Sequence, residues 1–315
     1  MKFSVTIPAY KPDFLDEAVS SVLAQSYGDW ELIVVDDASP ADLHSIMARY
    51  LTDPRVHYYR NERNYGAVNV VDNWNRCLEY CTGDYVICMG DDDKLLASCL
   101  ENLCSLMAMY PGLGVYHSRT SIIDQNGQML EELPTGPLFE RSLAFLWGRW
   151  SGRRQFIGDF CFHTGLLRRN GGFFKLPLAW FSDELSAYIA ARGDGAGIQD
   201  GLANTPESGF LYRINANSIS SSHENYIEKM AAVIAAEDWY RSHFNSLGPS
   251  VSGQNRYLNL LYDTLDFRFR SYSRQYVRED VAADWSRLAY WIRHHADARL
   301  SVAVSLLQGI KGILR

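Results

Sequence analysis

Short β-branched runs alternate with helical patterns through the first part of this 315-residue chain, and this alternation limits the fold more than any other feature. The predicted strands are residues 3–7, 31–35, 56–59 and 85–89, and the predicted helices are residues 13–25, 41–51, 68–80 and 97–109. Strands that alternate with helices form βαβ units, whose strands run parallel. The pattern therefore predicts a Rossmann-like α/β domain with a mixed, mostly parallel sheet flanked by helices, whose first strand is stopped by Pro8.

The pattern changes in the second third of the chain. Residues 115–123 look extended and are followed by Asn126-Gly127, a pair typical of a tight turn, which predicts an antiparallel excursion. Residues 179–192 look helical, whereas residues 134–172 fit neither pattern. A mostly helical composition toward the end predicts a helical C-terminal extension over residues 222–315.

The charge of the chain limits its partners. The formal net charge is −7, and binding to a nucleic-acid backbone needs clustered Lys and Arg, so no nucleic-acid partner is expected. A small anionic ligand fits an acidic protein if a bound cation neutralises it. The N-terminus lacks the features of a secretory signal, and no run reaches the roughly 18 apolar residues of a spanning helix. The sequence therefore predicts a cytoplasmic protein.

Three polar clusters follow predicted strands at their carboxyl ends, where ligands bind in open parallel sheets. These clusters are Pro8-Ala9-Tyr10, Asp36-Asp37-Ala38-Ser39 and Asp91-Asp92-Asp93. Adjacent carboxylates repel one another, a cost that a cation offsets, and hard oxygen ligands suit Mg²⁺ or Mn²⁺. A solvated turn with one aspartate as a helix cap is the alternative, and the position directly after an apolar strand favours the metal.

Asp36 and Asp37 have two interpretations of equal standing. Either residue can form an Asx turn or cap the helix that follows. A carboxylate only accepts hydrogen bonds, so at this position it can also select a base with a ring N–H, such as uracil, thymine or guanine. The second interpretation favours a UDP-, dTDP- or GDP-sugar.

Taken together, these segments resemble a glycosyltransferase family 2 domain of the GT-A fold, over residues 3 to about 221. The matching segments are Ile7-Pro8-Ala9-Tyr10, residues 18–26, residues 34–39, Arg60-Asn61 through Asn64-Tyr65-Gly66, residues 82–85, Gly165 to Arg168, residues 171–174, Ser182-Asp183 and Tyr212-Arg213 to Ser220. The individual motifs are short, and their order along the chain makes the combination specific.

The resemblance implies a role for each of the matched polar residues. Asp92 is the metal ligand, Asp91 approaches the ribose or a metal-bound water, and Asp93 supports both, with Mn²⁺ or Mg²⁺ as the cofactor. The nucleotide-binding residues that it implies are Pro8, Tyr10, Asp37, Asn64, Gly66, Asp91 and Arg213. Between Asp36 and Asp37, the resemblance favours Asp37 as the acid that binds the base. It divides residues 1–221 into a nucleotide-binding half, to about residue 110, and an acceptor-binding half.

Asp183 is the implied catalytic base, because Ser182-Asp183 occupies the place of a Glu-Asp pair and keeps the second acid. Trp180 can form a stacking platform for an acceptor sugar or pack into the core. The implied reaction is an inverting transfer from a nucleotide sugar to a saccharide or lipid-linked acceptor, in cell-surface polysaccharide assembly. A module that binds the nucleotide sugar without turnover is the alternative. A nucleotidyltransferase is disfavoured, since it would need a glycine-rich, basic loop after strand one.

The C-terminal segment differs in charge from the rest of the chain. From Trp285 onward it carries five Arg or Lys residues against Asp297 alone, and Leu306, Leu307, Ile310, Ile313 and Leu314 form an apolar cluster at helical spacing. This combination is typical of peripheral contact with a membrane, here at its inner face. A terminal helix docked on the catalytic domain is the other interpretation.

Overall fold

A computed structural model describes residues 1–214, 225–248 and 256–314. Its strands are β1 (Phe3–Ala9), β2 (Trp30–Asp36), β3 (Val56–Arg60), β4 (Tyr85–Cys88), β5 (Lys94–Leu95), β6 (Val115–Ile123), β7 (Met129–Glu132), β8 (Phe139–Glu140), β9 (Phe160–His163) and β10 (Leu202–Arg213). Its helices are α1 (Leu15–Leu23), α2 (Leu43–Met47), α3 (Val70–Tyr80), α4 (Cys99–Met109), α5 (Ser142–Trp150), α6 (Thr164–Arg169), α7 (Ser182–Ala191), α8 (Tyr226–Leu247), α9 (Arg256–Ala283), α10 (Arg287–Arg293) and α11 (Val302–Ile313). Short 3₁₀ turns cover residues 67–69, 157–159 and 177–179.

The strands form one sheet in the order β3-β2-β1-β4-β9-β6-β10-β5, with β7 paired to β6 and β8 paired to β10. The first four strands are parallel, as the alternation predicts. β9 is antiparallel to both of its neighbours, β4 and β6, so it joins the parallel half to the rest of the sheet. The predicted mixed α/β class with a helical C-terminal part is therefore confirmed.

β1 lies inside the parallel half, between β2 and β4, and is buried on both faces. Phe3, Val5 and Ile7 are fully buried, as are the α1 residues Leu15 and Val19, which have the predicted helical spacing. β2 has the apolar run over residues 32–35 that is typical of a strand covered on both faces. β1 instead alternates, with the buried polar residues Ser4 and Thr6 on the face opposite its apolar side chains. Burial of each large apolar side chain stabilises the fold by about 1.5–3 kcal/mol, so this half forms the rigid platform for the loops at its edge.

The first strand does not stop at Pro8, so that prediction was wrong. β1 continues to Ala9, and Pro8 pairs with Val35 of β2. β4 ends its pairing with β1 at Thr6, so no ladder partner lies beside Pro8 on that side. Proline is tolerated where its missing N–H would have no partner in the sheet.

The predicted antiparallel excursion is present as a hairpin of β6 and β7. Gly127 adopts φ 77°, and the Asp124 side chain accepts a hydrogen bond from the Asn126 amide at 2.9 Å. A left-handed residue at the turn favours glycine, which explains the Asn126-Gly127 signal.

The described residues divide into two compact units. One contains residues 1–175 and 182–214, and the other contains residues 176–181, 225–248 and 256–314. In the second unit, Phe181 packs against Phe269 and Tyr272 of α9, with ring centroids 5.7 Å and 5.3 Å apart. The short segment before α7 therefore packs with the C-terminal helices. The predicted boundary at residues 221–222 lies outside the described residues.

Candidate active site

The three polar clusters meet at the carboxyl edge of the parallel strands. The carboxylate of Asp91, after β4, accepts hydrogen bonds from the backbone amides of Tyr10 and Lys11, both at 2.7 Å. The Asp37 amide, after β2, donates to the Ala9 carbonyl at 2.8 Å. Clusters that are far apart in sequence therefore line one edge, as expected for parallel strands. Pro8 lies in β1 at the same edge, and Tyr10 is 43% exposed beside it.

Asp36 and Asp37 differ in their surroundings. Asp36 is fully buried, accepts hydrogen bonds from the Ser39 amide at 2.7 Å and the Tyr58 hydroxyl at 2.6 Å, and pairs with Arg60. The sequence predicted that either Asp36 or Asp37 could form the turn, and these contacts show that Asp36 does so. Because these three contacts occupy its carboxylate, Asp36 has a structural role.

The carboxylate of Asp37 faces the loop that contains Asn64 and Gly66. It accepts hydrogen bonds from the Asn61 side chain at 2.9 Å and from the Tyr65 amide at 3.1 Å to each oxygen. A carboxylate offers about four acceptor positions, so one is left for a further donor. Asn64 and Gly66 are exposed in this loop, and Gly66 has φ 75°, which favours glycine.

Arg213, at the end of β10, holds the acidic motif through its backbone and side chain. Its amide donates to the Asp93 carboxylate at 3.0 Å, and its Nε donates to the Asp92 carbonyl at 2.8 Å. The guanidinium also donates to the Gln125 carbonyl at 2.9 Å and pairs with Glu17 at 2.9 Å. The Arg213 side chain is fully buried by these contacts. The structure therefore places it as a support of the motif, and direct contact with a diphosphate stays a prediction.

The three aspartates of the motif have unequal environments. Burial raises the pKa of Asp91 to about 6, and burial together with the Asp92 charge raises the pKa of Asp93 well above its ordinary value. Asp92 is part-exposed, and no donor among the described residues reaches its carboxylate. Asp92 is thus the carboxylate of the motif that is open to an added ligand.

The donor set fits a divalent cation in its chemistry. Hard carboxylate oxygens suit Mg²⁺ or Mn²⁺, and a cation would relieve the repulsion among Asp91, Asp92 and Asp93. Across residues 1–214, 225–248 and 256–314, no three His, Cys, Asp or Glu side chains converge as a ready-made metal site. Asp91 and Asp93 are turned toward backbone amides, so further ligands would come from the substrate or water.

Asp183 lies in the first turn of α7, with its side chain 21% exposed. Arg149 of α5 approaches its carboxylate at 3.5 Å and the neighbouring Glu184 carboxylate at 3.5 Å. Burial raises the pKa of Asp183 to about 6, with the Glu184 and Asp159 charges adding to the effect and Arg149 opposing it. An acid with a raised pKa and some exposure suits proton transfer near neutral pH.

Sequence reasoning treated Arg149 and Trp180 differently. Arg149 was missed by sequence reasoning, because it lies in residues 134–172, which gave no pattern. Trp180 belongs to the second compact unit, where it contacts the Tyr276 ring at 6.2 Å and the Lys229 ammonium at 5.3 Å. These contacts are of the packing kind, and stacking on an acceptor sugar stays a prediction. The predicted loop contact near Ser218–Ser220 lies outside the described residues.

The sequence was compared with models of known protein families. The model of glycosyl transferase family 2 matches residues 4–173, which is more than half of the chain. The chain belongs to glycosyl transferase family 2. The matched region of this glycosyltransferase includes the edge formed by β1, β2 and β4, whereas Asp183 and Arg213 lie beyond it.

Curated relatives agree with this membership. TuaG of Bacillus subtilis (strain 168), named as a teichuronic acid biosynthesis glycosyltransferase, is 29% identical over 224 residues, which are 70% of this chain and 81% of TuaG. WfgD of Escherichia coli, named as a UDP-Glc:alpha-D-GlcNAc-diphosphoundecaprenol beta-1,3-glucosyltransferase, is 30% identical over 124 residues, covering 39% of this chain and 47% of WfgD. Several other relatives are likewise covered over about half of their length or less.

A solved structure with the same architecture is S. aureus TarS 1-349 in complex with UDP-GlcNAc. It aligns with a TM-score of 0.66 at 14% identity, covering 100% of this chain and 92% of that chain. At this identity the likeness concerns the fold alone, and it confirms the predicted GT-A class for the glycosyltransferase.

Proposed function

We propose that this family 2 enzyme is an inverting glycosyltransferase that moves a sugar from a nucleotide-sugar donor to a hydroxyl of a saccharide or lipid-linked acceptor in cell-surface polysaccharide assembly. The observation that carries the proposal is the Asp183 carboxylate, which is part-exposed and has a raised pKa, in a chain of family 2. The carboxylate of Asp92, at the carboxyl edge of the parallel strands, is also open to an added ligand. The named activities of TuaG and WfgD support the class of reaction. A UDP-sugar is the favoured donor, with dTDP- and GDP-sugars as the other options.

In the proposed reaction, the acceptor oxygen attacks the anomeric carbon as the bond from that carbon to the donor diphosphate breaks. Asp183 takes the proton of the acceptor hydroxyl, and Arg149 at 3.5 Å holds the carboxylate in place. A single displacement inverts the anomeric carbon and needs no covalent enzyme intermediate. The leaving group is the nucleoside diphosphate.

Asp92, with Asp91 and Asp93 supporting it, would hold the divalent cation. When bound, Mn²⁺ or Mg²⁺ supplies charge neutralisation for the diphosphate. Backbone amides fix the position of the acidic motif: those of Tyr10 and Lys11 donate to Asp91, and that of Arg213 donates to Asp93. This leaves Asp92 as the acid whose carboxylate is available to the cation.

The overall test is a panel of nucleotide sugars, assayed for hydrolysis and for thermal stabilisation with and without Mn²⁺. Turnover of one donor supports the transferase. A second candidate, a module that binds the donor without turnover, predicts stabilisation with no hydrolysis or transfer. The observation against that candidate is the part-exposed Asp183 paired with Arg149, which a binding module would not need.

Base recognition gives a prediction at Asp37. Replacing Asp37 with Ala removes a charged acceptor, and we expect UDP binding to weaken by about 1.5–3 kcal/mol. The measurement is titration calorimetry with UDP, repeated with CDP, whose base has no ring N–H to donate. The parent is expected to prefer UDP, and the variant is expected to lose that preference.

The control for Asp37→Ala is Asp29→Asn, because Asp29 precedes β2 at the opposite, amino edge of the sheet and is exposed. Its UDP affinity should equal that of the parent. Loss of the Tyr65 and Asn61 contacts could also loosen the loop, so Asp37→Asn is measured beside it. Undiminished UDP affinity in Asp37→Ala would end the base-recognition proposal.

The raised pKa of Asp183 predicts a pH dependence. A general base works when deprotonated, so kcat should fall as the pH drops below about 6, by about tenfold per pH unit. The profile is measured at saturating donor and metal, because the pKa of Asp91 is also about 6. An Arg149→Met variant removes the charge that lowers the pKa of Asp183, and its profile should shift to higher pH. An unchanged profile would argue against Asp183 as the titrating group.

We also propose that the enzyme works at the cytoplasmic face of a membrane when its acceptor is lipid-linked, with the C-terminal helices as the contacting part. The support is the basic and apolar C-terminal segment of an otherwise acidic chain.

A further inference from the structure

Helix α11 carries its apolar side chains on the outside. Its buried residues are small or polar: Ser305, Gln308, Gly309 and Gly312. Its exposed large side chains, apart from Lys311, are apolar: Val302 47%, Leu306 40%, Leu307 49%, Ile310 42% and Ile313 49%, with Leu314 at 80% just beyond the helix. A surface helix of a globular domain has the opposite arrangement, with its apolar stripe facing the core.

Close packing against the neighbouring helices sets this orientation. A Cβ atom on Gly312 would lie 2.4 Å from the backbone oxygen of Arg278 in α9. A Cβ atom on Gly309 would lie 2.2 Å from Cδ1 of Leu288 in α10. At Gly312 the neighbour is backbone, so only glycine allows that approach, whereas the Leu288 side chain at Gly309 is flexible. Rotating α11 to bury its leucines would break the Gly312 contact. The apolar face therefore stays outward in the folded chain.

The segment that contains α11 has a net positive charge. Residues 285–314 contain Arg287, Arg293, Arg299 and Lys311 against Asp297, in a chain whose net charge is −7. Arg287 and Arg299 pair with acids of the C-terminal unit, whereas Arg293 and Lys311 are exposed and have no acid partner among the described residues.

The C-terminal segment also contains an exposed aromatic side chain. Trp285 is 75% exposed, one helical turn before Leu288, which packs at Gly309. Indole rings favour the interface between water and lipid. The exposed tryptophan, the apolar face and the unpaired cations thus occur together on the C-terminal helices.

We propose that the exposed face of α11 binds in the plane of an anionic membrane surface, with Leu307 and Ile310 among the acyl chains and Lys311 at the headgroups. The helix has 12 residues and is about 18 Å long, too short for the roughly 20 residues that span a bilayer. No helix in residues 1–214, 225–248 and 256–314 is long and apolar enough to cross a membrane. A short, one-sided apolar helix with cations lies in the interface instead.

Charge complementarity favours lipid over a second copy of the chain. Residues 301–314 contain Lys311 and no acid, so two such helices packed together would bring like charges close without a partner for them. Anionic headgroups supply the opposite charge. The inference rests on the membrane location in the proposed function, and vesicle binding is measured separately from transfer, so that either can fail alone.

The test is flotation of the full chain with vesicles of phosphatidylcholine alone and of phosphatidylcholine mixed with phosphatidylglycerol. The parent should float with the anionic vesicles, less at high salt, and Leu307→Glu with Ile310→Glu should weaken binding by roughly tenfold or more. Lys311→Glu should weaken it by roughly fivefold or more, on anionic vesicles alone. The matched control is Met129→Glu with Leu130→Glu, since both side chains are exposed on β7, and it should float like the parent.

Two results would overturn the inference. One is equal flotation of the parent and the Leu307→Glu, Ile310→Glu variant. The other is a concentration-dependent dimer in sedimentation equilibrium that the same variant converts to monomer, which would make the face a contact between copies. Transfer to a water-soluble acceptor should persist in the variant, and absence of transfer in the parent would count against the proposed function alone.

Discussion

An Asp183→Asn variant is expected to lose roughly 10²-fold or more in turnover while its fold and its donor affinity persist. Asparagine keeps the shape of the side chain and can still form hydrogen bonds, but it does not take up a proton. The carboxylate lies in the first turn of α7, 21% exposed and 3.5 Å from Arg149. Loss of turnover without loss of binding is the signature of a group that acts in the transition state.

A purely structural role for Asp183 predicts a different result. An acid near a helix N-terminus stabilises the helix dipole by about 0.3–1 kcal/mol, so Asp183→Asn would shift thermal stability slightly and leave turnover intact. Turnover and thermal unfolding are therefore measured on the same preparation. Asp29→Asn, at the amino edge of the sheet, is the matched control and should change neither.

Nearly full transfer by Asp183→Asn would remove Asp183 from the mechanism and direct attention to Glu184 or Asp159. The structure makes both of these acids weaker candidates. Glu184 is buried and accepts a hydrogen bond from the Trp150 indole at 3.0 Å. Asp159 is buried and accepts from the Thr120 hydroxyl at 2.8 Å. An acceptor hydroxyl could reach neither without a rearrangement of these contacts.

The parallel half of the sheet could be predicted from sequence because its signals are local and repeated. β1 alternates apolar and polar residues, β2 contains an apolar run over residues 32–35, and α1 has apolar residues at helical spacing, so each element is visible in isolation. β9 is different: it has four residues, Phe160–His163, and no periodicity of its own. Its place between β4 and β6 depends on tertiary pairing, which a short apolar run does not specify.

The candidate site could likewise be predicted from the sequence only in part. Position after a strand predicted that the Asp91 and Asp37 clusters share an edge, and the sheet topology explains why. The choice between Asp36 and Asp37 depended on contacts from Tyr58 and Arg60, which lie on the next strand. Arg149 could not be found at all, since its role follows from the packing of α5 against α7. Sequence patterns thus predict which residues follow a strand more reliably than they predict which side chains pack around those residues.

Removing the Asp92 carboxylate is expected to abolish the metal dependence of nucleotide binding and to lower turnover by about 10²-fold or more, because charge neutralisation of a leaving diphosphate contributes several kcal/mol. The Asp92→Asn substitution is expected to leave the fold undisturbed. No donor among the described residues reaches its carboxylate, so the substitution breaks no internal hydrogen bond. Asp93, by contrast, is buried and accepts from the Arg213 amide at 3.0 Å, so a change there would also disturb the fold.

The measurement for Asp92 is UDP affinity by titration calorimetry in Mn²⁺ and in EDTA, for the parent, Asp92→Asn and the control Asp29→Asn. The parent and the control should bind UDP more tightly with Mn²⁺, because the diphosphate and the acidic motif otherwise repel one another. In Asp92→Asn one negative charge is gone, so binding in EDTA should improve slightly while the gain from Mn²⁺ is lost. If the cation is held elsewhere, Asp92→Asn will still bind UDP more tightly in Mn²⁺ than in EDTA. If the parent binds UDP equally well in Mn²⁺ and in EDTA, nucleotide binding at this edge proceeds without a metal.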